Sequence, residues 1–173
     1  MFRIMLVYGA IAGVVIIGVM LAGMAMNGGA GSMVQGYLTM LVVLSLIFVG
    51  IKRHRDKDLG GVIKFLPALG LGVGIAAVAG VFYVLSWEAS LQLTDFAWME
   101  DYEQRAIAGY EAKGLTGEEL AEKVAAMEAM MANYTNPLFR LPITFLEIFP
   151  VGLVVALVSA ALLRNPKVLP AKA

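Results

Sequence analysis

The stretch LPITFLEIFPVGLVVALVSAALL, residues 141–163, decides how this chain folds. Its 23 residues carry one ionisable group, Glu147. A helix needs about 20 predominantly apolar residues to cross the hydrocarbon of a bilayer. A membrane strand would alternate apolar and polar residues over about 10 positions, and this stretch does not alternate. It therefore reads as a transmembrane helix. Pro142 suits its first turn, where the missing N–H costs nothing, and Arg164-Asn165-Pro166 closes it.

Three more stretches upstream have the same character, at about residues 4–26, 33–51 and 66–87. Asn27-Gly28-Gly29 ends the first, Lys52-Arg53-His54-Arg55 ends the second, and Pro67 falls in the first turn of the third. Met1-Phe2-Arg3 ahead of an apolar run also resembles a secretory signal. A signal h-region spans only about 7–15 residues before a small-residue cleavage motif. The run here is longer and lacks that motif, so a retained span is expected. The composition agrees, with 60% hydrophobic and 15% charged residues against about 45–50% and 25% in soluble domains. Cysteine is absent, which excludes disulfides, zinc fingers, iron–sulfur clusters and thiol catalysis. The single histidine excludes a His-rich metal centre, and His54 reads as a solvated loop residue.

The formal net charge is zero, but its distribution is polarised. The amino terminus, the 52–64 connection and the tail together hold nine basic and two acidic residues, a balance of +7. The segment between spans three and four holds four basic and ten acidic residues, a balance of −6, and Glu147 supplies the last negative charge. Lys and Arg concentrate on the cytoplasmic side of membranes. Both termini are therefore expected inside, with the acidic segment outside.

Residues 88–140 alone have a soluble composition. Thr94 is placed to cap a helix carrying Phe96, Met99, Tyr102, Ala106 and Tyr110, and Lys113-Gly114 supplies its C-terminal signal. Thr116-x-x-Glu119 has capping-box spacing, with Leu115 and Leu120 positioned as a hydrophobic staple. Leu120, Val124, Met127, Met131 and Tyr134 form one apolar stripe, ended by Asn136-Pro137. The expected fold is all-α: a four-transmembrane-helix bundle forming a single membrane domain over residues 1–173. An extracytoplasmic helical hairpin, residues 88–140, is inserted between spans three and four. Its stripes serve packing more readily than docking, since helices gain most of their stability by burying such a face.

Glu147 is the residue to single out. It lies about 10 Å of helix inside the boundary of the fourth span, where a carboxyl group is costly and often marks function. Pro150 frees the Leu146 carbonyl at nearly the same depth. Arg140 and Thr144 share the helical face of Glu147. Span two brings Gln35 and Thr39 to the same half of the membrane, and span three brings Tyr83 and, at its edge, Glu88. Together these would form a ligand or proton site beneath the helical cap. A packing role for Glu147, bonded to a neighbouring helix, is the competing explanation. Lys52, Arg53, Arg55 and Lys57 are expected to anchor the topology or meet anionic lipid headgroups.

Other patterns carry less. Gly70-x-Gly72-x-Gly74 follows no strand, so it lacks the context of a nucleotide fingerprint. Close helix packing explains it better, as it does Gly9-x-x-x-Gly13 and Gly70-x-x-x-Gly74. The eleven methionines could offer thioethers to Cu(I), but methionine serves more often as an adaptable packing residue. No nucleophile–base pairing, Walker loop or metal-ligand cluster is present in the sequence. No cofactor, metal or nucleic-acid partner is expected, and no enzymatic activity.

Three groups of residues resemble one bacterial membrane-protein family. These are Ser45-Leu46-Ile47-Phe48-Val49-Gly50-Ile51-Lys52-Arg53 with Arg55-Asp56, the Gly60-Gly61 pair before span three, and Phe145-Leu146-Glu147-Ile148-Phe149-Pro150-Val151-Gly152. The family is catalogued as a domain of unknown function, number 4199, and the likeness covers about residues 1–165. It implies a small bacterial inner-membrane protein and no particular activity. The expected role is an accessory or partner-binding subunit, in contact with the bilayer and with a membrane-protein partner or its own copies. Small four-helix bundles rarely enclose a transport path alone. The alternative is a proton-linked transporter or a lipid or small-molecule binder using the outer-leaflet polar residues around Glu147.

Overall fold

A computed structural model describes residues 1–26 and 33–171. The glycine-rich end expected for the first span, Asn27-Gly28-Gly29, lies outside the described residues. The described chain is helical, with no strand: α1 (Phe2–Met26), α2 (Met33–Leu44), α3 (Leu46–Asp58), α4 (Phe65–Leu93), α5 (Ala97–Ala112), α6 (Gly117–Tyr134) and α7 (Pro137–Leu163). Four stretches are long and apolar enough to cross a membrane: Phe2–Gly23, Val34–Asp58, Phe65–Leu93 and Pro137–Leu163. These are the four spans read from the sequence, several of them longer than hydropathy alone marked. Ser45 sits between α2 and α3 in right-handed helical conformation, and its hydroxyl donates to the Val42 carbonyl at 2.6 Å. Such back-bonding from a serine bends a helix without ending it.

The chain divides into two compact units, residues 1–86 with 145–173 and residues 87–144. In the first, α4 meets α1 and α7 through small residues. A Cβ added at Gly13 would lie 2.5 Å from the Ala79 carbonyl oxygen, and one added at Gly9 would lie 2.6 Å from Val78 Cβ. On the α7 side, a Cβ at Gly152 would lie 2.7 Å from Ala76 Cβ. These glycines let backbones approach more closely than any side chain would allow. Gly74 lies similarly close to Met5, whereas Gly70 faces open space and so takes no part in the expected Gly70-x-x-x-Gly74 seam. Leu71, Ile75, Ile47, Ile51 and Ile148 fill the core.

The second unit contains the end of α4, α5, α6 and the start of α7. Helix α5 ends in a Schellman motif: Leu115 N–H donates to the Tyr110 carbonyl at 3.2 Å and Gly114 N–H to Glu111 at 2.9 Å. Gly114 has φ +84°, the left-handed conformation that favours glycine at this position. Helix α6 follows after Thr116 and touches α5, with Met127 and Met131 buried.

Four local expectations need correction. Thr94 does not cap α5. Its hydroxyl donates to the Ser90 carbonyl at 2.9 Å and so belongs to the end of α4. Asp95 and Phe96, both left-handed, then turn the chain into α5. Thr116 does occupy the N-cap of α6 with extended backbone, but its side chain makes no capping bond. The last helix starts at Pro137 rather than Leu141. Asn136 caps it through Oδ1, which accepts from Leu138 N–H at 3.0 Å, so Pro137 and not Pro142 takes the first helical position. His54 is buried within α3, with Nδ1 2.7 Å from Asp58 Oδ2, because that helix continues about two turns beyond Ile51.

Candidate functional site

The polar residues of the expected site fall into distinct constellations. In the first unit, Tyr83 on α4 donates its hydroxyl to Glu147 Oε2 on α7 at 3.1 Å. Tyr83 is 2% exposed, whereas Glu147 is exposed. Helical geometry produces this contrast. Tyr83 lies four residues after Ala79, on the α4 face that meets neighbouring helices. Glu147 lies four residues after Ile143 and one after Leu146, both of which are exposed. The carboxyl group is thus held by the phenol of a buried residue, on a helix face that is otherwise exposed. A phenol–carboxyl pair of this kind can share or pass a proton, and it can offer an acceptor to a donor approaching from outside.

Gln35 and Thr39 lie on α2, also in the first unit. They line an open groove of 540 Å³ with Val19, Val34, Leu38, Val42 and Val43. Neither Tyr83 nor Glu147 is among its lining residues. The groove is therefore an apolar surface furrow with two polar groups, rather than a chamber around the carboxyl group.

In the second unit, Arg140 is 1% exposed and binds through every face of its guanidinium. Nε and Nη2 donate to the two carboxylate oxygens of Glu88 at 2.6 and 2.7 Å. Nη1 donates to the Tyr134 and Thr135 carbonyls at 2.8 and 3.2 Å. The carbon of the guanidinium lies 5.3 Å from the Phe96 ring centroid and 5.7 Å from that of Tyr134. Trp87 Nε1 donates to the Tyr134 hydroxyl at 2.9 Å, and the buried Thr144 hydroxyl donates to the Arg140 carbonyl at 3.0 Å. The forked geometry is the one Arg favours with a carboxylate. The carbonyls at the end of α6 gain the cation that a helix C-terminus attracts. A ligand seeking Arg140 would first have to displace Glu88. This arrangement is built to join three helices. Sequence reasoning did not assign Trp87, Phe96 and Tyr134 to this cluster. They were visible only as span-end or stripe residues, although depth had already placed Glu88 and Arg140 in one candidate site.

The basic end of the first unit is also specific. Arg55 is fully buried. Its Nε donates to Asp56 Oδ1 at 2.6 Å, Nη1 to the Val168 carbonyl at 2.9 Å, and Nη2 to the Leu169 carbonyl at 2.5 Å. Asp56 also accepts from Lys52. Of the four residues expected to face lipid headgroups, Arg55 is thus committed to the tail and presents no surface to a lipid. Arg53 and Lys57 are exposed and Lys52 is half-buried. Among the described residues no cluster of three His, Asp or Glu side chains could hold a metal ion.

A family model described as "Protein of unknown function (DUF4199)" matches residues 7–165. The chain belongs to that family. The match takes in the first apolar helix from Val7 onward and the other three in full, and it includes Tyr83, Glu147, Glu88, Arg140 and Arg55. It stops short of Val168 and Leu169, whose carbonyls Arg55 holds. Comparison with curated proteins and with solved structures gives no match.

Proposed function

We propose that this DUF4199 chain is a multi-pass accessory subunit of the bacterial inner membrane, with both termini cytoplasmic. It binds a partner membrane protein through the face of α7 that carries Glu147. One observation carries the proposal. Glu147 is an exposed residue, with its carboxyl group bonded to Tyr83, in an otherwise apolar stripe that includes Ile143, Leu146 and Val154. An ionisable group at that depth is costly when lipid faces it. A partner helix that donates a hydrogen bond removes the cost, and polar contacts between membrane helices contribute about 0.6–2 kcal/mol.

Photo-crosslinking from Leu146 and Val154 in native membranes, followed by affinity capture, tests this. One stoichiometric membrane partner is expected, with recovery reduced several-fold by Glu147→Gln. Capture of the chain alone, or only as its own oligomer, would overturn the accessory role. The bond between Tyr83 and Glu147 favours a second reading, proton-linked transport or binding of a lipid or small molecule. A Glu147→Gln variant that folds, localises and complements a deletion normally would sink that reading.

A further inference from the structure

Both carboxylates at the basic end of the first unit have a partner, although the Asp58 side chain is 51% exposed. Asp56 accepts from Lys52 and Arg55, and Asp58 pairs with His54 at 2.7 Å. Exposed cations remain on three segments: Arg53 and Lys57 on α3, Lys64 before α4, and Arg164 and Lys167 after α7. None of the five has a carboxylate partner among the described residues.

The three segments are assembled at one place. Arg55 on α3 holds the Val168 and Leu169 carbonyls of the tail. A Cβ added at Gly61, in the turn before α4, would lie 3.4 Å from Ala171 Cβ. The Gly61 N–H in turn donates to the Arg55 carbonyl at 2.8 Å. The tail therefore lies against both α3 and the 59–64 turn, and it adds its charges to theirs. The same surface exposes Leu59, Val62, Leu66 and Leu169, which are 44%, 57%, 74% and 55% accessible.

Exposed leucines and valine interleaved with unpaired cations match the chemistry of a membrane interface. There apolar groups enter the acyl boundary and cations meet phosphate. A soluble phosphate would need the cations and gain nothing from the apolar flank. We infer that this end of the protein is a docking site for the phosphodiester headgroup of an anionic phospholipid, with Arg55 as the positioning residue that brings the tail's cations to it. The site goes beyond a general topology anchor because it requires the tail to be in place. It rests on the apolar helices crossing a bilayer and is independent of the Glu147 face.

The full chain is reconstituted in nanodiscs of phosphatidylcholine and phosphatidylglycerol in equal parts and released into detergent. Native mass spectrometry then counts the lipid retained on it. Phosphatidylglycerol should be enriched over phosphatidylcholine, and high salt should weaken the enrichment because the cations are exposed. The triple variant Arg53→Gln, Lys57→Gln, Arg164→Gln should lose about fivefold in retention per charge removed. The charge-preserving triple Arg53→Lys, Lys57→Arg, Arg164→Lys should retain the lipid, which separates charge from folding. Equal retention of the two lipids, or an unchanged neutral triple, would overturn the site. Displacement of the lipid by inorganic phosphate alone would reassign it to a free anion and overturn the lipid proposal. Glu147→Gln should retain phosphatidylglycerol fully whatever it does to partner capture, so the two proposals fail separately.

Discussion

Arg140 shows how much of this molecule rests on a single side chain. Burying a guanidinium is tolerable only when a matching charge and further acceptors replace the lost water. Glu88 and two α6 carbonyls do so here, with two aromatic rings nearby. Removing Glu88 leaves a buried guanidinium without its charge partner, at up to about 3–5 kcal/mol. Removing Arg140 leaves Glu88 unpaired but 21% exposed and also strips the α6 carbonyls of their donor. Arg140→Ala should therefore lower the thermal midpoint in detergent sharply, and Arg140→Lys should recover only part of it because an ammonium cannot fork. Replacing Arg140 and Glu88 together by methionine should be milder than either single truncation, since no lone charge remains. A single Arg140→Ala as stable as the original chain would refute this account. The sequence marked Arg140 as a cation at the start of a span and placed it on the helical face of Glu147. Its true partner lies 52 residues away, and pairing across such a separation is set by packing that spacing does not encode.

Helix ends separate what local chemistry dictates from what tertiary contacts decide. Lys113-Gly114 announces a helix stop in sequence and builds a Schellman turn in space, because φ +84° costs an L side chain about 1–2 kcal/mol. Thr116 occupies the position its capping-box spacing indicates, yet its hydroxyl makes no capping bond. Asn136, legible only as a stop, in fact starts α7 through its side chain. These differences order three substitutions by stability. Gly114→Ala should cost about 1–2 kcal/mol through left-handed strain. Asn136→Ala should cost about 1 kcal/mol through the lost cap, and Thr116→Ala less than about 0.5 kcal/mol, as for a surface substitution that breaks no such feature. Unfolding in mixed micelles, with the three variants in parallel, measures the order. A Thr116→Ala loss as large as that of Asn136→Ala would show that the hydroxyl caps α6 in solution after all.

At the scale of the whole chain, the apolar spans were the most legible feature, because hydropathy summed over about 20 residues outweighs any local exception. Close packing at Gly9 and Gly13 was legible too, while the helix they pack against, α4, was not. Depth brought Tyr83 and Glu147 into one candidate site and they do meet, whereas Gln35 and Thr39 line a groove to which neither contributes, since depth says nothing about which way a helix is turned. Orientation across the membrane rests on charge, and here the sequence makes a sharp claim: +7 on one side and −6 on the other. Among the described residues the basic side keeps exposed cations at Arg53, Lys57, Lys64, Arg164 and Lys167, against one exposed carboxylate, Asp58, paired with His54. Basic residues near span ends resist translocation while acidic ones contribute little. The absence of cysteine makes every introduced thiol a unique reporter. Lys57→Cys and Pro170→Cys should resist a membrane-impermeant maleimide applied to intact cells and react after permeabilisation, whereas Glu122→Cys should react in intact cells. The opposite pattern would invert the topology. Labelling of Lys57→Cys and Glu122→Cys from the same side would be more serious, since the one apolar helix between them, Phe65–Leu93, would then not cross the membrane.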